Sequence, residues 1–296
     1  MEYIFAKTIL IRTKSTSWFG YRYNMNLYKG CCHGCIYCDS RSECYGVTEF
    51  DRVRAKDNAL QILRDELRRK VQTGVVGTGA MSDPYNPFEK ELCLTRHSLE
   101  LLDAYGFGVG IATKSDLIAR DADILTEIAT HSPVMCKITI TTHDDTLCEK
   151  IEPHVARSST RFEVLGQLAE KGLFTGILLM PVLPFLEDSV QNIREIVRRA
   201  KQANVRFIYP AFGMTLRQNQ REWYFQKLES CFPGQNLRER YQKAYGNRYE
   251  CPSPNAAELW RVFTHDCEQA GILYRMQDII RANHLGYKPE QLSFFT

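Results

Sequence analysis

Short, nearly continuous apolar runs alternate along this chain with longer segments whose apolar positions recur at helical spacing. Such runs are typical of strands that are buried on both faces of a parallel sheet. Strands are therefore predicted at residues 25–28, 74–80, 107–113, 134–142, 175–183 and 206–212. Because helical segments separate the strands, the pattern predicts six consecutive βα units.

The helices that follow or join these strands are predicted from apolar periodicity and from capping residues. They cover residues 52–71, 94–105, 120–130, 159–171 and 188–203. Ser159 and Asp188 are predicted as N-caps, because both residue types accept hydrogen bonds from the first turn of a helix. Gly172 is predicted to end the helix that Ser159 begins.

Six βα units are too few for a closed barrel of eight, so the predicted fold is α/β, an open and partial (β/α)6 barrel. The alternation stops near Arg217, and an amphipathic helix is predicted over residues 255–270. We therefore predict an N-terminal segment, a barrel core, a mainly helical C-terminal extension packed on the core, and a terminal peptide. Their predicted bounds are 1–24, 25–215, 216–290 and 291–296.

The composition of the chain says more about its cellular location than about its fold. The chain has 296 residues, and 44% of them are hydrophobic, which is ordinary for a globular protein with a large core. Charged residues interrupt the N-terminus and no apolar run approaches bilayer length, so neither a signal peptide nor a membrane helix is predicted. We predict a cytoplasmic protein, in which the 11 cysteines stay reduced. The net charge of +3 permits a nucleic-acid partner without arguing for one.

Three cysteines lie close together directly after the first predicted strand. Cys31, Cys35 and Cys38 have three and then two residues between them, which is short enough for one loop to surround a metal group. Three thiolates are one fewer than a structural zinc site or a fully protein-ligated four-iron cluster needs. The spacing therefore predicts a metal site with one open position. Cys32 is interpreted as a small loop residue, and His33 as a hydrogen-bonding neighbour of the ligands.

Four short stretches around this loop resemble a known family. They are residues 31–39, 79–85, 113–115 and 151–153, and the resemblance extends over about residues 20–215. The sequence is similar there to the radical S-adenosylmethionine (SAM) superfamily, and in particular to its spore photoproduct lyase-like branch. The resemblance implies that the partial barrel is a radical SAM barrel.

The same resemblance implies a chemistry. Cys31, Cys35 and Cys38 would hold a [4Fe–4S] cluster whose fourth iron binds SAM, and reductive cleavage of SAM would give a 5′-deoxyadenosyl radical that abstracts hydrogen from a substrate. The substrate is unknown, with nucleic acid as one candidate, and the electron donor would be a flavodoxin or a ferredoxin. The alternative from another class is a non-catalytic metal- or cluster-binding protein that is recruited to DNA through its C-terminal peptide.

Several side chains match positions at which the family contacts SAM. They are Tyr37, Ser82, Asp83, Lys114 and Thr141. Tyr37 would lie against the adenine, Lys114 would meet the carboxylate as a point charge, and Thr141 would bond the ribose or the methionine end. Glu89 is a further candidate polar contact. The structural alternatives are that Ser82 and Asp83 shape a turn, and that Lys114 is a solvated loop charge.

One position departs from the family pattern. Spore photoproduct lyases carry a cysteine in the loop after the second strand that returns a hydrogen atom to the product radical, and the matching residue here is Met81. Splitting of thymine dimers is therefore not predicted. Tyr85 is the candidate catalytic residue for hydrogen-atom relay, with Tyr209 as a second candidate.

The last residues of the chain form a separate motif. Gln291, Leu292, Ser293, Phe294 and Phe295 resemble the short peptide with which bacterial DNA-processing proteins bind the sliding clamp. Such a peptide docks by aromatic anchors in a groove. The alternative is that this segment packs back on the barrel.

Overall fold

In the computed structural model, residues 1–70 and 72–287 are described, and they form the following elements. The strands are β1 Glu2–Ile4, β2 Leu10–Arg12, β3 Tyr21–Met25, β4 Tyr28–Lys29, β5 Arg54–Lys56, β6 Val75–Thr78, β7 Gly108–Thr113, β8 Val134–Thr139, β9 Phe174–Leu179, β10 Phe207–Pro210, β11 Gly213–Thr215 and β12 Glu250–Pro252. The α-helices are α1 Ala59–Arg68, α2 Glu89–Leu92, α3 Leu94–Ala104, α4 Ala122–Ala129, α5 Asp145–Ile151, α6 Ser158–Glu170, α7 Val190–Gln202, α8 Gln220–Cys231, α9 Leu237–Tyr245, α10 Ala256–Ala270 and α11 Met276–His284.

The central sheet has seven strands in the order β10-β9-β8-β7-β6-β3-β2. Six of them are parallel neighbours, and β2 is added antiparallel at the edge beside β3. In the described residues the two edge strands, β10 and β2, are not hydrogen-bonded to each other. The predicted α/β fold, an open partial barrel of six parallel units, is confirmed.

The first parallel strand lies earlier than predicted. Residues 25–28 were expected to form it, whereas β3 covers Tyr21–Met25 and pairs with β6. Its side chains alternate between buried and more exposed positions, so it lacks the continuous apolar run that marks the other strands. Tyr28 belongs instead to β4, which pairs antiparallel with β5 in a separate small sheet.

Two predicted N-caps are wrong, because each side chain has a tertiary partner. α6 begins at Ser158, and Ser159 donates its hydroxyl and its backbone N–H to Asp145. α7 is capped by Ser189, while Asp188 accepts hydrogen bonds from Phe185 N–H (2.7 Å) and the Ser253 hydroxyl (2.6 Å). The capping preference of these residue types was therefore overridden by contacts that local sequence does not show.

Glycines on adjacent strands make room for an aromatic ring inside the barrel. A Cβ atom added at Gly110 would lie 2.5 Å from Cζ of Tyr21, and one added at Gly77 would lie 2.9 Å from its Cγ. Tyr21 packs there in a cluster with Phe19 and Phe207. The barrel interior below the strand ends is thus a packed core and not a channel.

Replacing Gly110 by alanine is expected to destabilise the protein by about 1–3 kcal/mol, because the added methyl group overpacks the Tyr21 ring. The matched control is Gly166→Ala in α6, where the nearest atom to an added Cβ lies at 3.9 Å. Alanine there is expected to stabilise the helix by about 0.5–1 kcal/mol. Urea denaturation of both variants checks this, and equal effects on the free energy of unfolding would contradict it.

The C-terminal extension packs on the cysteine loop as well as on the barrel. Cys35, Ile36 and Tyr37 share a hydrophobic cluster with Tyr224 and Tyr241 of α8 and α9. The predicted amphipathic helix of residues 255–270 is confirmed as α10, with Leu259 and Phe263 buried and packed against α7. None of the described helices is long and apolar enough to span a membrane. The predicted clamp-binding peptide, residues 291–295, lies outside the described residues.

Candidate metal centre

The loop that carries Cys31, Cys35 and Cys38 is fixed by backbone hydrogen bonds to two other segments. Cys31 N–H donates to Phe50 O (2.8 Å), and Ile36 N–H donates to Ile151 O (2.9 Å). Within the loop, Cys38 N–H donates to Cys35 O (3.3 Å). The three cysteines are therefore held in a defined arrangement at the end of β4.

Burial raises the pKa of all three thiols. It raises the pKa of Cys31 to about 12, that of Cys35 well above its ordinary value, and that of Cys38 as well. Negative charge on Glu152, and to a smaller extent on Cys38 and Cys31, raises the pKa of Cys35 further. Three neighbouring buried thiolates are unfavourable unless a cation compensates them, and metal coordination deprotonates thiols outright. The donor set thus fits a cationic metal group.

Across residues 1–70 and 72–287, no three His, Cys, Asp or Glu side chains are arranged to hold one metal ion. All the cysteines in that part of the chain are free thiols.

A buried network lies beside the loop and is centred on Glu152. The Tyr37 hydroxyl donates to Glu152 Oε1, and Arg161 Nη1 lies 2.6 Å from Glu152 Oε2. The Arg161 and Glu152 side chains are 0% and 1% exposed. Arg161 also donates to the carbonyl oxygen of Thr139 at the end of β8 (2.8 Å). The network therefore fixes the tyrosine ring next to Cys38 relative to the barrel.

Lys114 lies at the edge of this network. Its Nζ atom is 4.0 Å from Glu152 Oε1 and 5.6 Å from the centre of the Tyr37 ring. Burial opposes its charge, but negative charge on Cys35 and on Glu152 outweighs burial and raises the pKa of Lys114. An ammonium group is therefore held beside Glu152 and the Tyr37 ring of the cysteine loop.

Ser82 and Asp83 connect the loop after β6 to its neighbours. The Ser82 hydroxyl donates to Gly30 O (2.5 Å), directly before the first cysteine. Asp83 accepts hydrogen bonds from the Thr113 hydroxyl (2.7 Å) and from Lys114 N–H (2.8 Å), and its Oδ2 lies 3.5 Å from His33 Nδ1. These contacts support the structural alternative for both residues, while contact with a cofactor stays a prediction.

Thr141 follows β8 and has a carboxyl group as its partner. Its hydroxyl donates to Glu187 Oε1 (2.6 Å), and its carbonyl accepts from Asn192 Nδ2 (2.8 Å). Burial raises the pKa of Glu187 to about 8. Because the Thr141 proton is directed at Glu187, the hydroxyl oxygen keeps acceptor capacity for a ligand group.

Of the remaining predicted residues, Tyr85 and Glu89 are buried and Tyr209 is half-buried. Tyr85 is 1% exposed within the main core, and in the described part of the chain its hydroxyl has no hydrogen-bond partner. Glu89 is fully buried and accepts hydrogen bonds from the Tyr28 hydroxyl and from Thr95 N–H. It therefore connects α2 with β4 and α3. Tyr209 packs edge-on against Trp18. The relay role of the tyrosines stays a prediction.

Sequence reasoning missed Arg161 and Glu187, and it gave Glu152 no role. Arg161 carried a signal, since it occupies the same helical face as Leu165 and Leu168, which are fully buried. An arginine in a buried apolar stripe requires an anionic partner. Glu187 gave no comparable signal.

The sequence around the cysteine loop matches a known protein family. A family model described as the radical SAM superfamily matches residues 25–200, which include all three cysteines of the loop. An uncharacterized protein of Mycobacterium tuberculosis is 28% identical over 265 residues, which are 87% of this chain and 77% of that protein. An uncharacterized protein of Methanocaldococcus jannaschii is 32% identical over 172 residues, 57% of this chain and 63% of that protein.

Solved structures show the same fold. A mutant of spore photoproduct lyase with bound AdoMet and dinucleoside spore photoproduct superposes with a TM-score of 0.64 at 15% identity, over 92% of this chain and 82% of that one. The radical S-adenosylmethionine methyltransferase TsrM from Kitasatospora setae, with a tryptophan substrate and a SAM analog bound, superposes with a TM-score of 0.56 at 11% identity, over 90% and 58% of the two chains.

Proposed function

Because this chain belongs to the radical SAM superfamily, we propose that it is an enzyme that cleaves SAM reductively and uses the resulting radical on a substrate. The observation that carries the proposal is that Cys31, Cys35 and Cys38 lie on one hydrogen-bonded loop, and that Lys114 Nζ lies 5.6 Å from the centre of the Tyr37 ring of that loop. Superfamily membership implies an enzyme, while the lyase-like reaction and the substrate belong to the proposal.

The three thiols would ligate three irons of a [4Fe–4S] cluster and leave the fourth iron for SAM. When bound, the cluster supplies the electron that cleaves SAM to methionine and a 5′-deoxyadenosyl radical, which removes hydrogen from the substrate. The remaining task of the chain is to bind and orient the reactants and to exclude water.

Three side chains of this chain would orient SAM. Tyr37 presents a ring whose orientation is fixed by its hydrogen bond to Glu152, and it would pack against the adenine. The Lys114 ammonium would pair with the SAM carboxylate. Thr141 would accept a hydrogen bond from the ribose or the methionine end, because its own proton is directed at Glu187.

A nucleic acid is our proposed substrate class, and the support comes from the fold. The spore photoproduct lyase that shares this fold binds a dinucleoside spore photoproduct. The reaction would differ from that of the lyase at hydrogen return, because Met81 has no S–H bond to donate from. A tyrosine is the proposed donor, with Tyr85 as the first candidate.

Anaerobic reconstitution tests the proposal. The reconstituted protein is expected to contain about four irons per chain and, with dithionite as reductant, to convert SAM to methionine and 5′-deoxyadenosine. Stoichiometric zinc without SAM cleavage would contradict the proposal and favour the non-catalytic alternative. Deuterium transfer into 5′-deoxyadenosine from labelled damaged DNA would test the substrate class.

Replacing Lys114 by methionine is expected to weaken SAM binding by about tenfold to a hundredfold, because it removes a charge-assisted contact to the carboxylate. The dissociation constant for SAM, measured by equilibrium titration of the reconstituted variant, checks this. Lys90→Met is the matched control, since Lys90 is an exposed lysine in α2, on the same β6–β7 connection as Ser82 and Asp83. Equal affinities in the two variants would contradict the role of Lys114.

A further inference from the structure

The C-terminal extension contacts the cysteine loop through the two residues on either side of Cys38. The buried Gln220 side chain donates from Nε2 to Tyr37 O (3.0 Å). Arg217 Nε lies 3.0 Å from Asp39 Oδ1, so an ion pair holds the residue that follows Cys38. Helix α8 and the segment before it therefore form the outer wall of the candidate metal centre.

An aromatic ring on α8 lies between two cations at this wall. The Arg41 guanidinium is 3.9 Å from the centre of the Trp223 ring, and Lys227 Nζ is 4.5 Å from it. Arg41 N–H in turn donates to Cys38 O (3.3 Å). A single residue thus connects a half-exposed tryptophan to a proposed cluster ligand.

The charges around Trp223 are unevenly distributed on the helix. Trp223 and Lys227 are four positions apart and share one face of α8. Lys227 has no carboxylate partner within the described ranges 1–70 and 72–287. The carboxylates of Glu222 and Glu229 lie on a different face, where both pair with Arg238. The face that meets the cysteine loop is therefore the more positive one.

We propose that Arg217, Trp223 and Lys227, together with Arg41, whose side chain is only 10% exposed and packs on the Trp223 ring, form a docking surface for a small acidic electron-carrier protein of the flavodoxin class. We name these four residues the Trp223 surface. The proposal rests on the proposed function, because only a metal centre that is reduced from outside requires such a partner. The reduced carrier loses one electron and the group held by the three cysteines gains it, and no covalent bond or proton is exchanged at this surface.

Charge complementarity favours an acidic protein over a nucleic acid. Asp51 pairs with Arg41 and Asp39 pairs with Arg217, so two carboxylates are interspersed with the cations. Asp51 and Asp39 would repel the continuous line of phosphates in a nucleic acid backbone. The carboxylates of a protein are separate groups, so they can contact Lys227 without lying beside these two aspartates. Tryptophan and arginine are also the residue types that dominate the energy of protein interfaces.

The first test is a binding measurement with purified, oxidised flavodoxin and the reconstituted protein. Lys227→Glu is expected to weaken binding by about tenfold or more, and the affinity of the unsubstituted protein is expected to fall as salt is added. Lys201→Glu is the matched control, because Lys201 is an exposed lysine at the end of α7. An unchanged dissociation constant for Lys227→Glu, or an equal loss in the control, would overturn the proposal.

The second test separates this proposal from the proposed function. With dithionite, Lys227→Glu is expected to cleave SAM as fast as the unsubstituted protein, whereas the rate with reduced flavodoxin falls about tenfold. Equal flavodoxin-driven rates would overturn the docking surface and leave the proposed function standing. Absence of cleavage with dithionite in the unsubstituted protein would overturn the proposed function itself. Displacement of flavodoxin by a single-stranded oligonucleotide, with loss of oligonucleotide binding in Lys227→Glu, would assign the surface to nucleic acid instead.

Discussion

Replacing Cys35 by alanine is expected to abolish iron binding and SAM cleavage together. Cys35 is the most enclosed of the three cysteines, since it is buried whereas Cys31 and Cys38 are half-buried. Two thiolates cannot hold three irons of a cluster, so the iron content should fall from about four per chain to near zero. Iron and sulfide analysis, with the absorption spectrum of the reconstituted variant, measures this.

The control for this substitution is Cys44→Ala. Cys44 is exposed and lies in the same region of the chain, but outside the three-cysteine spacing. Its removal should leave both iron content and SAM cleavage unchanged. Retention of four irons and of cleavage in Cys35→Ala would show that the ligand assignment is wrong, and Cys32→Ala would then identify the neighbouring thiol as a replacement ligand.

The parallel barrel strands after the cysteine loop could be predicted from sequence because each is a buried apolar run. The first strand could not, since Tyr21 and Tyr23 alternate with more exposed residues and the neighbouring apolar segment at Tyr28 is equally strand-like. The glycines of β6 and β7 gave no usable signal either. Their function is to admit the Tyr21 ring, and that contact exists only after the strands are paired.

In the candidate site, too, some residues could be predicted from sequence and others could not. The cysteines could be found because metal ligands on one loop are constrained by local spacing. The Tyr37–Glu152 hydrogen bond joins residues 115 positions apart, and the Thr141–Glu187 bond joins residues 46 positions apart. No local pattern encodes such pairs, so the residues that orient the predicted cofactor contacts became visible only in the fold.

The C-terminal extension gains a role that its sequence did not suggest. It was predicted to pack on the barrel, but the structure shows that its core also contains Cys35, Ile36 and Tyr37. Tyr224 and Phe225 are buried in that cluster. Removal of the extension would therefore expose the cysteine loop to solvent, which links the folding of residues beyond 216 to the integrity of the metal centre.

Replacing Arg161 by methionine is expected to destabilise the protein by about 3–5 kcal/mol at neutral pH, because the buried Glu152 carboxylate loses its closer ion-pair partner and keeps only Lys114 at 4.0 Å. The matched control is Arg157→Met, which removes an exposed pair with Glu149 and should cost about 0–1 kcal/mol. The pair with Arg161 now lowers the pKa of Glu152 despite burial. Without Arg161 that pKa rises, so the loss of stability should shrink as the pH falls and Glu152 becomes protonated in the folded state.

Urea denaturation at neutral and at mildly acidic pH measures both effects. The double variant Glu152→Gln with Arg161→Met should be more stable than Arg161→Met alone, because the unpaired charge is absent from it. Because Glu152→Gln keeps an oxygen that can accept the Tyr37 hydroxyl proton, SAM affinity should be largely retained in the double variant as stability returns. If Arg161→Met were no more destabilising than Arg157→Met, the Glu152 network would not contribute to the stability of the site, and Tyr37 would have to be oriented by packing against α8 alone.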